Sequence, residues 1–182
     1  MTERYAILLP GAGYTSAHPL LHFTRAVLEV HGWTVVEASW PADEASRRNA
    51  DRMVSTIAAE LIASVGNPQP LIVGKSIGSL AIPLAAERSL SGIWFTPLLR
   101  RPTVADALER LPDPTLLIGS TGDETWDGDA ARRSNHQVVE LTDANHGLER
   151  VDDPLGSIDA LREVIGAVDG FVAELDRAGD GQ

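Results

Sequence analysis

Cysteine is absent from the chain. That excludes thiol redox chemistry, thiolate metal sites and a disulfide framework, and it points to a reducing, cytoplasmic compartment. Long apolar runs are missing as well: after Arg4 only Tyr5 to Leu9 are apolar before Pro10 and Gly11, too few for a signal-peptide core or a membrane span. Positive charge is scarce, with 15 Lys plus Arg against 26 Asp plus Glu and a formal net charge of -11. A field of that sign repels phosphate backbones and anionic lipid, which argues against nucleic-acid and membrane partners. There is no internal repeat, low-complexity tract or linker. The 182 residues therefore read as one domain over 1–178 with a disordered tail over 179–182. Nothing in the sequence decides the oligomeric state.

Short apolar runs alternate with longer segments of helical period, the pattern of parallel strands joined by crossover helices. The expected strands are Tyr5 to Leu9, Thr34 to Ala38, Leu71 to Gly74, Ile93 to Thr96, Thr115 to Gly119 and Gln137 to Leu141. Most lack polar alternation, as strands covered on both faces do. Leu20, Phe23, Val27 and Val30 mark one helix ending at Gly32, and Ala50, Val54, Ile57, Leu61 and Val65 mark another ending at Gly66. Leu155, Ile158, Leu161, Ile165, Val168, Val172 and Leu175 form the stripe of a final helix. The fold class is α/β: a three-layer α/β/α sandwich around a mostly or fully parallel six-stranded sheet.

The stretch LIVGKSIGS, residues 71–79, superimposes two motifs. A phosphate-cradling Walker loop needs a glycine five residues before its Gly-Lys-Ser, but Gln69 stands there and a strand runs straight into Gly74. The alternative, Gly74-x-Ser76-x-Gly78, needs a strand, a sharp turn between small residues and a helix, and all three are present. Pro83 falls inside that helix and is expected to kink it.

A nucleophilic hydroxyl needs a base, and the base needs an acid to orient it. Of the five histidines, His31 reads as a solvated helix end, and His136 precedes the last strand at the wrong edge of the sheet. His146 follows that strand, in LTDANHGLE. The preceding strand leads into GSTGDETWD, where Asp123 is the chosen acid and Asp127 the second. Ser76, Asp123 and His146 then occur in the chain order serine, acid, base.

The segments LLPGAGYTSAHPLLHF, VGKSIGS, GSTGDETWD and DANHGLE resemble the α/β hydrolases, in particular small bacterial members that lack the first two strands of the full fold. In compactness the chain also resembles the dienelactone hydrolase branch, whose namesake uses a cysteine nucleophile absent here. The resemblance implies an oxyanion hole built from the amide of Ile77 and that of Ala12, with Gly13 the alternative. Only PLLRRP separates the fourth strand from the next short helix, so no lid is expected and the cleft should favour small esters. Tyr14, His18, Pro97, Leu98 and Trp126 are its candidate walls.

Three other readings compete. Gly11-x-Gly13 with Glu37 partly matches a dinucleotide fingerprint, whose third glycine is Ser16 here. The run DETWDGD imitates the start of a calcium loop, but the twelfth position is Ser134 rather than glutamate. A binding module without turnover could also keep this fold. The expectation is a serine hydrolase acting on a small-molecule ester or related acyl bond through an acyl-enzyme, with no cofactor and no metal.

Overall fold

The computed structural model describes residues 3–180 except 42, 45–47, 67 and 68, and the side chains of 179 and 180 lie outside that description. Strands β1 (Tyr5–Leu9), β2 (Thr34–Glu37), β3 (Leu71–Lys75), β4 (Gly92–Phe95), β5 (Thr115–Ser120) and β6 (Gln137–Leu141) form one sheet in the order β2-β1-β3-β4-β5-β6. All neighbours are parallel. Strand ends fall within one residue of those expected. The helices are α1 (Pro19–Val30), α2 (Ala50–Ser64), α3 (Ile82–Glu87), α4 (Pro102–Leu108), α5 (Gly128–Arg133) and α6 (Pro154–Asp180).

Because strand side chains alternate between faces, one set (Ile7, Leu9, Ile72, Trp94, Leu117) packs under α2, α3 and α4. The other set, including Leu8, Val73, Ile93, Phe95 and Ile118, packs under α1 and α6. Two apolar cores separated by the sheet make the three layers.

The helices bury faces slightly different from those expected. In α1 the buried residues are Leu20, Leu21, Thr24 and Leu28, while Phe23 and Val30 face solvent. Thr24 tolerates burial because its hydroxyl donates to the Leu20 carbonyl at 2.7 Å. In α2 the innermost side chains are Ala50, Val54, Ala58 and Ile62, with Ile57 and Leu61 on the flank. In α6 they are Ala160, Val164, Val168, Phe171 and Val172, whereas Leu155 and Ile158 are exposed. Gly32 and Gly66 follow α1 and α2 at φ +78° and +63°, the left-handed geometry that ends a helix. Of the tail expected over 179–182, residues 179 and 180 are the last of α6, and 181–182 lie outside the described residues.

The segment after β3 also differs from expectation. Residues Ser76–Ala81 form a 3-10 helix and α3 starts at Ile82. Pro83 therefore sits in the first turn of α3, where its missing N–H leaves no bond unmade, and it does not act as a mid-helix kink. Since the chain passes from β1 to β2 on one side and to β3 on the other, a crevice opens between the carboxyl ends of β1 and β3. No helix among the described residues is long and apolar enough to cross a membrane.

Candidate active site

Ser76 directly follows β3 with φ +54°, a conformation that costs a non-glycine residue about 1–3 kcal/mol and turns its side chain out over the sheet edge. Neighbouring glycines let the turn close. A Cβ on Gly78 would lie 2.2 Å from the Leu9 carbonyl oxygen, and one on Gly74 would lie 2.6 Å from the Trp94 ring. Ser79 fastens the turn: its hydroxyl donates to the Ser76 carbonyl at 2.6 Å and accepts from the Leu98 amide at 3.0 Å.

His146 reaches this serine from the loop after β6. Its Nε2 lies 2.7 Å from Ser76 Oγ and its Nδ1 lies 2.8 Å from Asp123 Oδ2. A carboxylate can only accept, so Nδ1 carries the proton and Nε2 is left to accept from the serine hydroxyl. The second carboxylate oxygen is held by Thr125, whose amide and hydroxyl donate to Asp123 Oδ1 at 2.9 and 2.8 Å. The Asp123 side chain is almost wholly buried, which by itself pushes its pKa up. The hydrogen bonds from His146 and Thr125 and the nearby imidazole outweigh that burial and hold the carboxyl below its ordinary 3.8.

Residues that the sequence reading passed over fix these loops. Asn145 Oδ1 accepts from the amides of Gly147 and Glu149 at 2.7 and 3.1 Å, curling the chain around His146. Ser120 at the end of β5, fully buried, accepts from the Ala144 amide at 2.9 Å and so joins the acid loop to the histidine loop. Asp127 caps α5 through the Ala130 amide at 2.9 Å and does not reach the imidazole. His136 lies at the opposite end of the sheet, bonded to Asp113 and the Leu108 carbonyl. His31 caps the C-terminal end of α1 as expected, and it is only partly exposed because Asp169 and Asp176 of α6 pair with its ring.

Lys75 is the largest omission. It is the only lysine in the chain, and it is 1% exposed. Its ammonium donates to Thr96 Oγ1 and to the His146 carbonyl, both at 2.8 Å, and lies 5.0 Å from the centre of the Tyr14 ring. One cation thereby ties together the ends of β3 and β4, the loop after β1 and the histidine loop. Burial lowers its pKa from 10.5 to about 8, against the opposing pull of the Asp123 carboxylate. Thr96 itself has φ +40°, a second strained position, in contact with the Lys75 ammonium.

Residues 11–14, Lys75, Ser76, His146 and Gly147 wall an open cavity of about 280 Å³. The Gly11 amide is spent on the Tyr14 carbonyl at 2.9 Å, whereas those of Ala12 and Gly13 have no hydrogen-bond partner among the described residues. Ile77 is the second residue of the 3-10 helix, where amides have no intrahelical acceptor. Of the candidate walls, only Tyr14 lines this cavity. His18 stacks on Tyr14 at 4.6 Å and accepts from the Thr15 amide. Pro97 is buried and half-buried Leu98 packs into the core, so both buttress the turn. Trp126 is not a wall: its ring packs against Gly119 and its Nε1 donates to Glu140 at 2.7 Å. A larger depression of about 500 Å³ lies beyond the histidine loop around Asp143, Asn145 and Arg150, and Ser76 does not line it.

The competing motifs resolve structurally. Ser16, in the third-glycine position of the dinucleotide pattern, donates its hydroxyl to Glu37, and Arg25 pairs with the same carboxylate. Asp123 and Asp127 of the calcium-like run are engaged with His146 and with the α5 cap. The Walker lysine is buried.

No protein-family model matches the chain, and no curated protein does. Solved structures do. A serine hydrolase without a lid from Xanthomonas campestris is 18% identical, with a TM-score of 0.68 over 96% of this chain and 84% of that one. Est1E from Butyrivibrio proteoclasticus is 15% identical, with a TM-score of 0.75 over 97% and 89%. Dienelactone hydrolase from Anabaena variabilis is 17% identical, with a TM-score of 0.66 over 95% and 87%. With six parallel strands in this order and only residues 96–101 between β4 and α4, the chain has the α/β-hydrolase fold with no lid inserted there.

Proposed function

We propose that the protein is a serine hydrolase that cleaves a small ester or related acyl bond through an acyl-enzyme. The observation that carries this reading is the unbroken relay from Ser76 Oγ through the His146 imidazole to buried Asp123, at 2.7 and 2.8 Å, on the rim of a substrate-sized cavity. Ser76 Oγ attacks the carbonyl carbon as His146 Nε2 takes its proton. The negative charge that develops on the carbonyl oxygen is met by the amides of Ile77 and Ala12, one such donor being worth roughly 3–4 kcal/mol. His146 then gives its proton to the leaving oxygen, and a water activated by the same nitrogen cleaves the acyl-enzyme.

Asp123 keeps the imidazole in the accepting tautomer. Lys75, anchored to the His146 carbonyl, positions the base. Est1E, which shares the fold, has been captured with ferulic acid. The open cavity, with no lid, favours small esters. The test is hydrolysis of p-nitrophenyl acetate, with the thioester and anilide analogues run beside it to define the bond class. The wild type is expected to turn over the ester and Ser76→Ala to fall to the background rate. Full activity in Ser76→Ala would overturn the proposal.

A further inference from the structure

We infer that the smaller cavity beside the histidine loop receives the leaving alcohol of the substrate, and that this alcohol is apolar and carries no negative charge; the inference rests on the hydrolase reading above. The cavity, of about 140 Å³, lies between the start of α1, the chain after His146 and the first turns of α6. Tyr14 and Gly147 line both it and the catalytic cavity, so the two adjoin at the tyrosine.

The side on which it lies assigns its occupant. The leaving oxygen must come within hydrogen-bond reach of His146 Nε2, because that nitrogen returns the proton. The cavity is bounded by the residues that directly follow His146, namely Gly147, Leu148 and Glu149. The acyl group therefore departs on the other side, past Ala12 and Gly13, toward a hollow of about 280 Å³ bordered by Glu37, Ser39 and Trp40.

Its chemistry comes from its walls. Leu20, Leu148, Ile158 and Leu161 are aliphatic, while Glu149 places a negative charge at the site and disfavours an anionic alcohol. The Tyr14 hydroxyl accepts from the Leu20 amide at 3.0 Å, so the shared wall is set before substrate arrives. A dry cavity of about 150 Å³ is known to admit benzene, which sets the capacity at a benzyl group or a chain of about four to six carbons. Ile158 is 51% exposed and Leu155, one helical turn before it, is 74% exposed; they continue the aliphatic surface outward from the cavity mouth.

The test uses two ester series and reads kcat/KM. In the first, acetates of methyl through hexyl alcohol and benzyl alcohol vary only the leaving group; in the second, methyl esters of two- to six-carbon acids vary only the acyl group. Each methylene moved from water to apolar surface is worth roughly fourfold. The alcohol series is expected to climb at least tenfold from ethyl to butyl. Ile158→Trp, which fills the cavity mouth, and Ile158→Asp, which charges it, should each flatten the alcohol slope. Both are made at a half-exposed site, and melting temperature verifies the fold. A slope confined to the acyl series, a flat alcohol series, or an undiminished slope in both variants would overturn the assignment while leaving the hydrolase intact. Failure to hydrolyse any ester would overturn both.

Discussion

The buried lysine makes a quantitative prediction. Lys75 is expected to titrate near 8, because desolvation of its ammonium outweighs the attraction of Asp123. A displacement from 10.5 to about 8 corresponds to roughly 3 kcal/mol. The sign follows from proton counting. Between pH 8 and 10.5 the unfolded chain holds a proton on this lysine that the folded protein has lost, so stability rises with pH through that window. Below pH 8 both states are charged and the full burial cost is present. Since there is no other lysine, selective ¹³C-lysine labelling gives a single ammonium-adjacent resonance, and its midpoint reads the residue directly. Urea unfolding of the wild type and Lys75→Met at a series of pH values supplies the second measure. The wild type should gain on the variant by roughly 1.4 kcal/mol per pH unit within the window, to a total of roughly 3 kcal/mol. A midpoint near 10.5, or a stability difference that does not change with pH, would refute the burial argument and with it the account of how the histidine loop is anchored.

Further outcomes follow from the same geometry. Asp123→Asn offers His146 Nδ1 a poorer partner and frees the wrong tautomer, so kcat should fall about 10⁴-fold with the fold retained, as read by circular dichroism. The depressed Asp123 pKa contributes stability that is present above its ordinary 3.8 and lost as pH falls through its folded value. Acid unfolding of the wild type and Asp123→Asn should therefore show their stability difference changing only below about 3.8. Gly78→Ala would drive a methyl to 2.2 Å from the Leu9 carbonyl oxygen. It should cost about 1–3 kcal/mol in urea unfolding and lower ester hydrolysis by displacing the Ile77 amide. Wild-type stability with Gly78→Ala would show that the turn does not need the close approach.

Much of the candidate site's geometry was legible because it is written locally. Strand, Gly74, Ser76 and Gly78 lie within one short stretch, and Asp123 and His146 each follow a strand that ends at the same edge. What escaped was written in contacts between distant segments. Lys75 meets Thr96 and the carbonyl of His146, which lie 21 and 71 positions away, and no spacing rule joins them. Trp126 lies in the loop after β5 as expected, yet the space over Gly119 and the Glu140 carboxylate turn it inward. Helix faces were misread where small or hydroxyl residues carry the contact. Ala58 and Ala160 allow close packing and Thr24 satisfies itself, while the larger Phe23, Leu155 and Ile158, which a hydrophobicity pattern favours, remain outside. Pro83 lost its expected effect because a 3-10 helix precedes α3 and moves the proline to its first turn.

The central claim is that Ser76 Oγ is the nucleophile. Reaction with a fluorophosphonate followed by trypsin tests it directly, because cleavage after Lys75 leaves Ser76 as the first residue of the peptide ending at Arg88. The account predicts one phosphonyl adduct per chain, assigned by fragment ions to Ser76 and not to Ser79, and absent from Ser76→Ala. An adduct on another residue, or an ester-hydrolysing protein that takes up no label, would contradict it.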